Sequence, residues 1–234
     1  MAGSAARPGV VFLGGFMSDM TGTKAEWLEG FAGRAGLPCL RFDYSGHGAS
    51  EGTFTEGTIG GWLGDALYVL DRLTEGPQVL VGSSMGGWLA LLAALRRPER
   101  VCGIVGIAAA PDFTEDLIHS ELSDDERVTL TRDGIIHRPS DYGEAPYPIT
   151  RTLIEEARAH LLLGGPIAVR CPIHLLHGLA DADVPWRTAI RILDRVESGT
   201  AAATLIKDGD HRLSCSADLE RLGTAIRMVI EAAA

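Results

Sequence analysis

One stretch limits what this chain can fold into more than any other: Val79-Leu80-Val81-Gly82-Ser83-Ser84-Met85-Gly86-Gly87-Trp88. A short apolar run of strand type stops at Gly82, and a glycine-rich turn with two serines follows. Residues 88–95 then read as an almost wholly apolar helix ended before Pro98, because proline cannot continue a helix. Strand, tight turn and buried helix form the context required of a G-x-S-x-G nucleophile elbow. The pattern falls on Gly82-Ser83-Ser84-Met85-Gly86, with Ser84 at its centre. The flanking positions must be small, since such a turn is strained and neighbouring backbone comes close.

The elbow needs a sheet around it, and the rest of the chain supplies one. Apolar strand-like runs recur at residues 9–13, 39–43, 101–107, 171–176 and 203–206. Helical patterns alternate with them at about 22–35, 59–73, 185–196 and 216–232, with Thr58 as an N-cap and Pro185 at the first position of its helix. Strands that are apolar on both faces and alternate with helices mean a mostly parallel sheet of about six strands, covered on both sides. The expected fold is α/β, with residues 1–234 as a single domain. Trp62, Trp88 and Trp186 are read as core residues.

The alternation breaks between residues 112 and 165. This segment holds a helix-like stretch at 113–121 and a capping box at Ser123 and Glu126. A loop rich in Gly, Pro and Tyr covers 134–148, and Ile149, Leu153, Ile154, Ala157 and Leu161 mark an amphipathic helix. No strand fits it cleanly, so it is read as a helical cap inserted over the edge of the sheet that holds the site.

A serine hydroxyl is a weak nucleophile at neutral pH and needs a base, with a third group to orient that base. Open α/β sheets place such groups on loops beyond the carboxyl ends of strands. Of seven histidines, His211 alone follows the last strand, within Asp208-Gly209-Asp210-His211. His174 and His177 lie in or at the end of a strand, His119, His137 and His160 fall in the insertion, and His47 follows the second strand. Asp181 and Asp183 both follow the strand ending at Leu176. Asp181 is assigned as the acid, while Asp183 suits the positive end of the next helix. Asp208 and Asp210 are read as turn residues. The order serine, aspartate, histidine is that of one hydrolase class. Two backbone N–H groups are needed where negative charge develops. Met85, following the serine, supplies one; the Gly14-Gly15-Phe16-Met17 loop supplies the other, assigned to Phe16 with Met17 as the alternative. Asp43-Tyr44-Ser45-Gly46-His47-Gly48-Ala49-Ser50 lacks the lysine of a phosphate loop and is read as a structural turn bordering the site.

The formal charge of −10 has no basic cluster against it, which speaks against nucleic-acid partners and docking on anionic membranes. No apolar run approaches the ~20 residues of a membrane span, so no integral membrane association is expected. No signal peptide is evident before Pro8. Cys39, Cys102, Cys171 and Cys215 are widely scattered, without metal spacing, and point to reduced thiols in a cytoplasmic protein. No metal or cofactor is implied, and oligomeric state is left open.

Taken together, these motifs resemble the α/β-hydrolase superfamily over nearly the whole chain from Pro8. A narrower resemblance rests on Thr21-Gly22-Thr23-Lys24, Gly76 to Ser84, Gly86-Gly87-Trp88, Cys171-Pro172-Ile173, Leu175 to Gly178, Val184-Pro185-Trp186 and Asp210-His211-Arg212. These are similar to abhydrolase-domain proteins described as mitochondrial palmitoyl-protein thioesterases and acyl-glucuronide esterases. The resemblance implies Ser84, Asp181 and His211 as a triad. It implies a small-molecule ester or thioester, or an S-acylated protein, as substrate. The chain departs from the organellar form in having no evident transit peptide, and its insertion matches less well than its core. Two other readings are a non-catalytic ligand binder on a hydrolase fold and a C–C bond hydrolase.

Overall fold

A computed structural model of the chain describes residues 7–139 and 146–234. The start of the N-terminus read for targeting signals, and the centre of the 134–148 loop, lie outside the described residues.

The strands are β1 (Gly9–Leu13), β2 (Cys39–Arg41), β3 (Gln78–Ser83), β4 (Val101–Ile107), β5 (Ile135–Arg138), β6 (Tyr147–Thr150), β7 (Ile173–Gly178) and β8 (Ala202–Ile206). The helices are α1 (Thr23–Ala35), α2 (Ile59–Arg72), α3 (Met85–Arg96), α4 (Asp124–Asp133), α5 (Arg151–Ala157), α6 (Arg187–Arg195) and α7 (Ser216–Ala232). Six strands form one parallel sheet in the order β2-β1-β3-β4-β7-β8. The elbow strand β3 is therefore central, flanked by β1 and β4.

Alternation along these strands builds two cores. Val10 and Phe12 of β1, Val79 and Val81 of β3, and Val105 and Ile107 of β4 face one side, where they meet Leu28 and Phe31 of α1 and Leu222, Ile226 and Val229 of α7. Val11, Leu13, Leu80, Ile104 and Leu175 face the other, against Trp62, Trp88, Leu89 and Ile192 from α2, α3 and α6. Every residue of α3 from Met85 to Ala94 is buried, the continuous apolar burial that its sequence requires. Thr58 caps α2 by accepting the Gly61 N–H, and Ser123 and Glu126 form the capping box of α4.

The segment between β4 and β7 differs from its sequence reading. Residues 135–138 and 147–150 pair as an antiparallel ribbon, β5 with β6. Four-residue strands are too short for their period to show, and Pro148 argues against a strand except at an edge, which both strands of a ribbon are. Ile149 consequently belongs to β6. The expected helix there is only α5, and Leu161 lies beyond it, exposed. Residues 114–119 form a π-helical turn. Asp112 ties the two ends of the segment together: it is buried, and its carboxylate accepts the Leu162 and Leu163 N–H groups at 2.8 and 2.7 Å.

Three smaller readings also change. Pro185 lies two residues before α6 rather than at its first position. Trp186 is half-exposed with the Arg187 guanidinium over its ring at 4.5 Å, whereas Trp62 and Trp88 are core residues. Leu73 lies just beyond α2 and is exposed. Cys39, Cys102, Cys171 and Cys215 are unpaired, and burial pushes the Cys39 and Cys171 thiols up to about 11.

Replacing Asp112 by Ala leaves two N–H groups, that of Leu163 buried and that of Leu162 partly so, without an acceptor. It is expected to destabilise the fold by about 2–4 kcal/mol, measured by equilibrium denaturation against the parent protein.

Candidate active site

The elbow is where the fold is tightest. Ser84 has φ 52° and ψ −117°, a backbone conformation costing on the order of 1–3 kcal/mol for a residue with a side chain. Three hydrogen bonds hold it: the Ser84 N–H donates to Ile107 at the end of β4, and the Ser84 carbonyl accepts from Gly87 and Ala110. At ~0.5–1.5 kcal/mol each, they are enough to offset the strain. A Cβ on Gly86 would overlap the Leu13 carbonyl oxygen, and one on Gly82 would overlap that of Gly86. The glycines of the motif are thus demanded by backbone contact, and the contact sets the end of β3 against the end of β1.

The loops after β7 and β8 meet beside the serine. Gly178 has no room for a Cβ against the Gly209 carbonyl, and the Leu179 and Ala180 N–H groups donate to Ile206 and Gly209. This brings His211 between Asp181 and Ser84. His211 Nε2 lies 3.2 Å from Ser84 Oγ, and His211 Nδ1 lies 2.9 Å from Asp181 Oδ2. The Asp181 side chain is fully buried. Its Oδ1 accepts the Asp183 and Val184 N–H groups at 2.9 and 2.8 Å, and its Oδ2 also lies 3.2 Å from His177 Nε2. Burial by itself would raise this carboxyl. Hydrogen bonds from His177, His211 and Val184, with the charge on His211, outweigh it and hold the group well below the usual carboxylate range.

The loop after β1 is held by the second-strand turn. Asp43 accepts from Met20 N–H at 2.6 Å and from Ala49 N–H at 2.9 Å, and Arg41 donates to the Met20 carbonyl. The turn assigned a structural role in the sequence thus anchors the loop carrying Phe16. The Phe16 ring packs edge-on against Phe54, Trp62, Phe113 and Tyr147. Gly15 packs close to Ser84, 3.5 Å separating its would-be Cβ from the Ser84 Cβ. Among the described residues, no backbone or side-chain acceptor takes the Phe16 or Met85 N–H. Met17, the alternative, is strained at φ 55° and 39% exposed.

These groups open into a cavity of about 610 Å³, within the ~300–1,000 Å³ typical of small-molecule sites. Phe113, Leu117, Ile118, Tyr147 and Ile149 make one apolar lining, all from the segment between β4 and β7. Ser18, Asp19, Lys24, Arg212 and Ser214 contribute polar groups. The sequence alone does not mark Lys24 as a site residue. Its Nζ donates to the Arg212 carbonyl at 2.6 Å, and burial, with the Arg212 charge, lowers it to about 8 against a smaller opposing pull from Asp210. Among the described residues, Asp181, Asp183 and His211 alone bring three potential metal-ligand atoms within 4.8 Å of one another. The Asp181 oxygens there are already occupied by four donors.

The site's strand order and its serine turn are those of one fold family, and comparison agrees. A family model described as alpha/beta hydrolase fold matches residues 8–135. The chain belongs to the α/β-hydrolase family. Human palmitoyl-protein thioesterase ABHD10, mitochondrial, is 43% identical over 225 residues, 96% of this chain and 73% of the relative. A putative hydrolase from Agrobacterium vitis S4 of known crystal structure superposes with a TM-score of 0.93 at 46% identity, covering 96% of this chain and 88% of that one. Mouse alpha/beta hydrolase domain-containing protein 10 gives 0.88 at 42%, with 96% and 90% covered. Such α/β-hydrolases share the sheet described above, and among the described residues no helix is long and apolar enough to cross a membrane.

The depressed Asp181 carboxyl makes a pH prediction. A group lowered on folding stabilises in full above its unfolded value, 3.8, and loses that contribution as pH falls toward the folded value. The stability difference between the parent protein and Asp181→Asn should shrink as pH falls below about 4, where the parent carboxylate begins to lose its advantage over the unfolded chain. Urea denaturation at each pH measures it.

Proposed function

We propose that this hydrolase cleaves acyl thioesters and activated carboxylic esters through a serine-bound acyl intermediate. The observation that carries the reading is the unbroken chain Ser84 Oγ, His211 Nε2, His211 Nδ1, Asp181 Oδ2, with links of 3.2 and 2.9 Å, facing the cavity. Ser84 Oγ attacks the acyl carbonyl while His211 Nε2 takes its proton, and buried Asp181 holds the imidazole so that Nε2 faces the serine. The Phe16 and Met85 N–H groups receive the oxyanion. His211 then gives its proton to the departing thiol or alcohol. In the second half it draws a proton from water, whose oxygen attacks the acyl carbon, and then gives that proton to Ser84 Oγ as the serine–acyl bond breaks and the acid leaves. No metal or cofactor takes part in this scheme.

The lining of the cavity supports the substrate class. Phe113, Leu117, Ile118 and Ile149 suit an acyl chain, and Ser18, Lys24 and Ser214 suit a polar leaving group. Residues 112–165 act in this reading as a cap that selects the acyl chain, within a single domain spanning 1–234. The name of the human relative says that it is a palmitoyl-protein thioesterase, which favours an S-acylated protein or peptide; an acyl glucuronide, an activated ester with a polar head, is the second substrate assigned. Unpaired cysteines suit a reducing compartment. Cytoplasm is the location proposed, although the relative's name says mitochondrial.

Ser84→Ala is expected to lower kcat by about 10⁴–10⁶ with the fold intact and to abolish labelling by a fluorophosphonate probe. S-palmitoyl peptide, acyl-glucuronide and p-nitrophenyl butyrate hydrolysis measure it. Near-full turnover by the variant rules out the serine mechanism. An unlabelled, inactive parent protein favours a ligand binder.

A further inference from the structure

We infer that His177 is a positioning residue for this site, a second imidazole that fixes the Asp181 carboxylate and divides its charge with His211. The inference rests on the assignment of Ser84, His211 and Asp181 above.

His177 is the penultimate residue of β7 and is 1% exposed. Its Nε2 lies 2.9 Å from the Val184 carbonyl oxygen. A carbonyl oxygen only accepts, so this nitrogen carries the hydrogen. The same nitrogen lies 3.2 Å from Asp181 Oδ2, the oxygen that also faces His211 Nδ1 at 2.9 Å. Two imidazole nitrogens therefore converge on one carboxylate oxygen, while the Asp183 and Val184 N–H groups hold the other. Val184 is gripped at both ends, its N–H by Asp181 and its carbonyl by His177. The result is a closed loop from 177 through 181 to 184, which fixes the carboxylate plane that His211 must meet.

A merely structural histidine would need only the Val184 carbonyl. The contact with Asp181 Oδ2 adds an electrostatic effect, because a donor shared with a carboxylate withdraws charge that the second imidazole would otherwise feel. With His177 present, the imidazolium formed at His211 during attack is held less tightly, so it returns its proton to the leaving group more readily. The other charged groups around this cluster are Asp183, Arg212 and Lys24 on the cavity lining and Asp210 close to Lys24. The variants below leave all four in place.

The test compares His177→Phe, His177→Asn and His177→Gln in the full chain, each checked for folding by thermal denaturation. Phenylalanine keeps the ring without a donor. The glutamine amide reaches the position of Nε2, and the asparagine amide stops short of it. Phe and Asn are expected to lower kcat about 10–100-fold, the range seen when an outer hydrogen-bond partner of a site is lost, with KM little changed. The acid limb of their kcat/KM profile should move to higher pH, as an undivided Asp181 charge favours protonated His211. Gln should restore most of kcat and the parent profile. A Phe variant with parent kcat and pH profile overturns the proposal. If Phe does not fold, the pair Gln and Asn decides: equal activity overturns it, and active Gln with impaired Asn supports it. Asp181→Ala run in parallel separates the two levels. Full activity there overturns the triad itself, whereas loss there beside a silent His177→Phe overturns only the part assigned to His177.

Discussion

Backbone against backbone at the end of β3 is the constraint from which the site follows. Gly82, Gly86 and Gly87 leave no space for side chains against one another, Leu13 and Ala109. Strand β3 can therefore stop, reverse into α3 and still keep its neighbours β1 and β4 paired to its last residues, Gly82 with Leu13 and Ser83 with Ile107. Ser84 is pushed out of the sheet because nothing larger than a backbone turn fits beneath it. The two N–H groups assigned to the oxyanion lie beside it for the same reason, since Met85 opens α3 and the loop carrying Phe16 leaves β1 at the point of contact. The first N–H groups of a helix have no partner within it, and that leaves Met85 able to serve a ligand.

A second close approach, Gly178 against Gly209, does for the acid and the base what the first does for the nucleophile. Two loops that leave adjacent strands are zipped by backbone bonds, so Asp181 and His211 need no long side-chain reach to meet. The carboxylate is then buried at a cost that only its four donors can offset. Its depressed ionisation shows which side wins. This order of effects explains why the site stands on strand ends and backbone, while the apolar cavity lining of Phe113, Leu117, Ile118, Tyr147 and Ile149 comes from the segment between β4 and β7.

That division also fixes what could be read from the chain. The elbow, the six parallel strands, the helix caps at Thr58 and Ser123, and the Ser84, Asp181 and His211 positions were legible because each depends on residues within one strand–turn–helix unit. The β5–β6 ribbon was not, because four-residue strands carry too little period and their pairing spans a loop. Trp186 was misread because an aromatic beside Pro185 looks like core until Arg187 is seen over it. His177, Asp43 and Asp112 were missed as partners for a common reason: each bonds to backbone or to a carboxylate that only the folded chain brings near. A buried polar residue at a strand end or at the mouth of an insertion was the available signal, since such a group must find a partner.

The cavity departs from the protein as a whole in charge. The chain carries −10 overall, yet the charged groups on the cavity lining are Lys24, Arg138 and Arg212 against Asp19, Glu121 and Asp183. An anionic ligand disfavoured by the overall charge thus meets a balanced set of charges inside the cavity. Lys24 also bonds the Arg212 carbonyl next to His211, so one group on the cavity lining also tethers the histidine loop. Because burial brings Lys24 down to about 8, it is mostly charged at pH 7 and loses its charge in the alkaline range, where the lining becomes net negative while the neutral amine can still donate to the Arg212 carbonyl. The cavity lining and the loop that carries His211 are coupled through one side chain of α1.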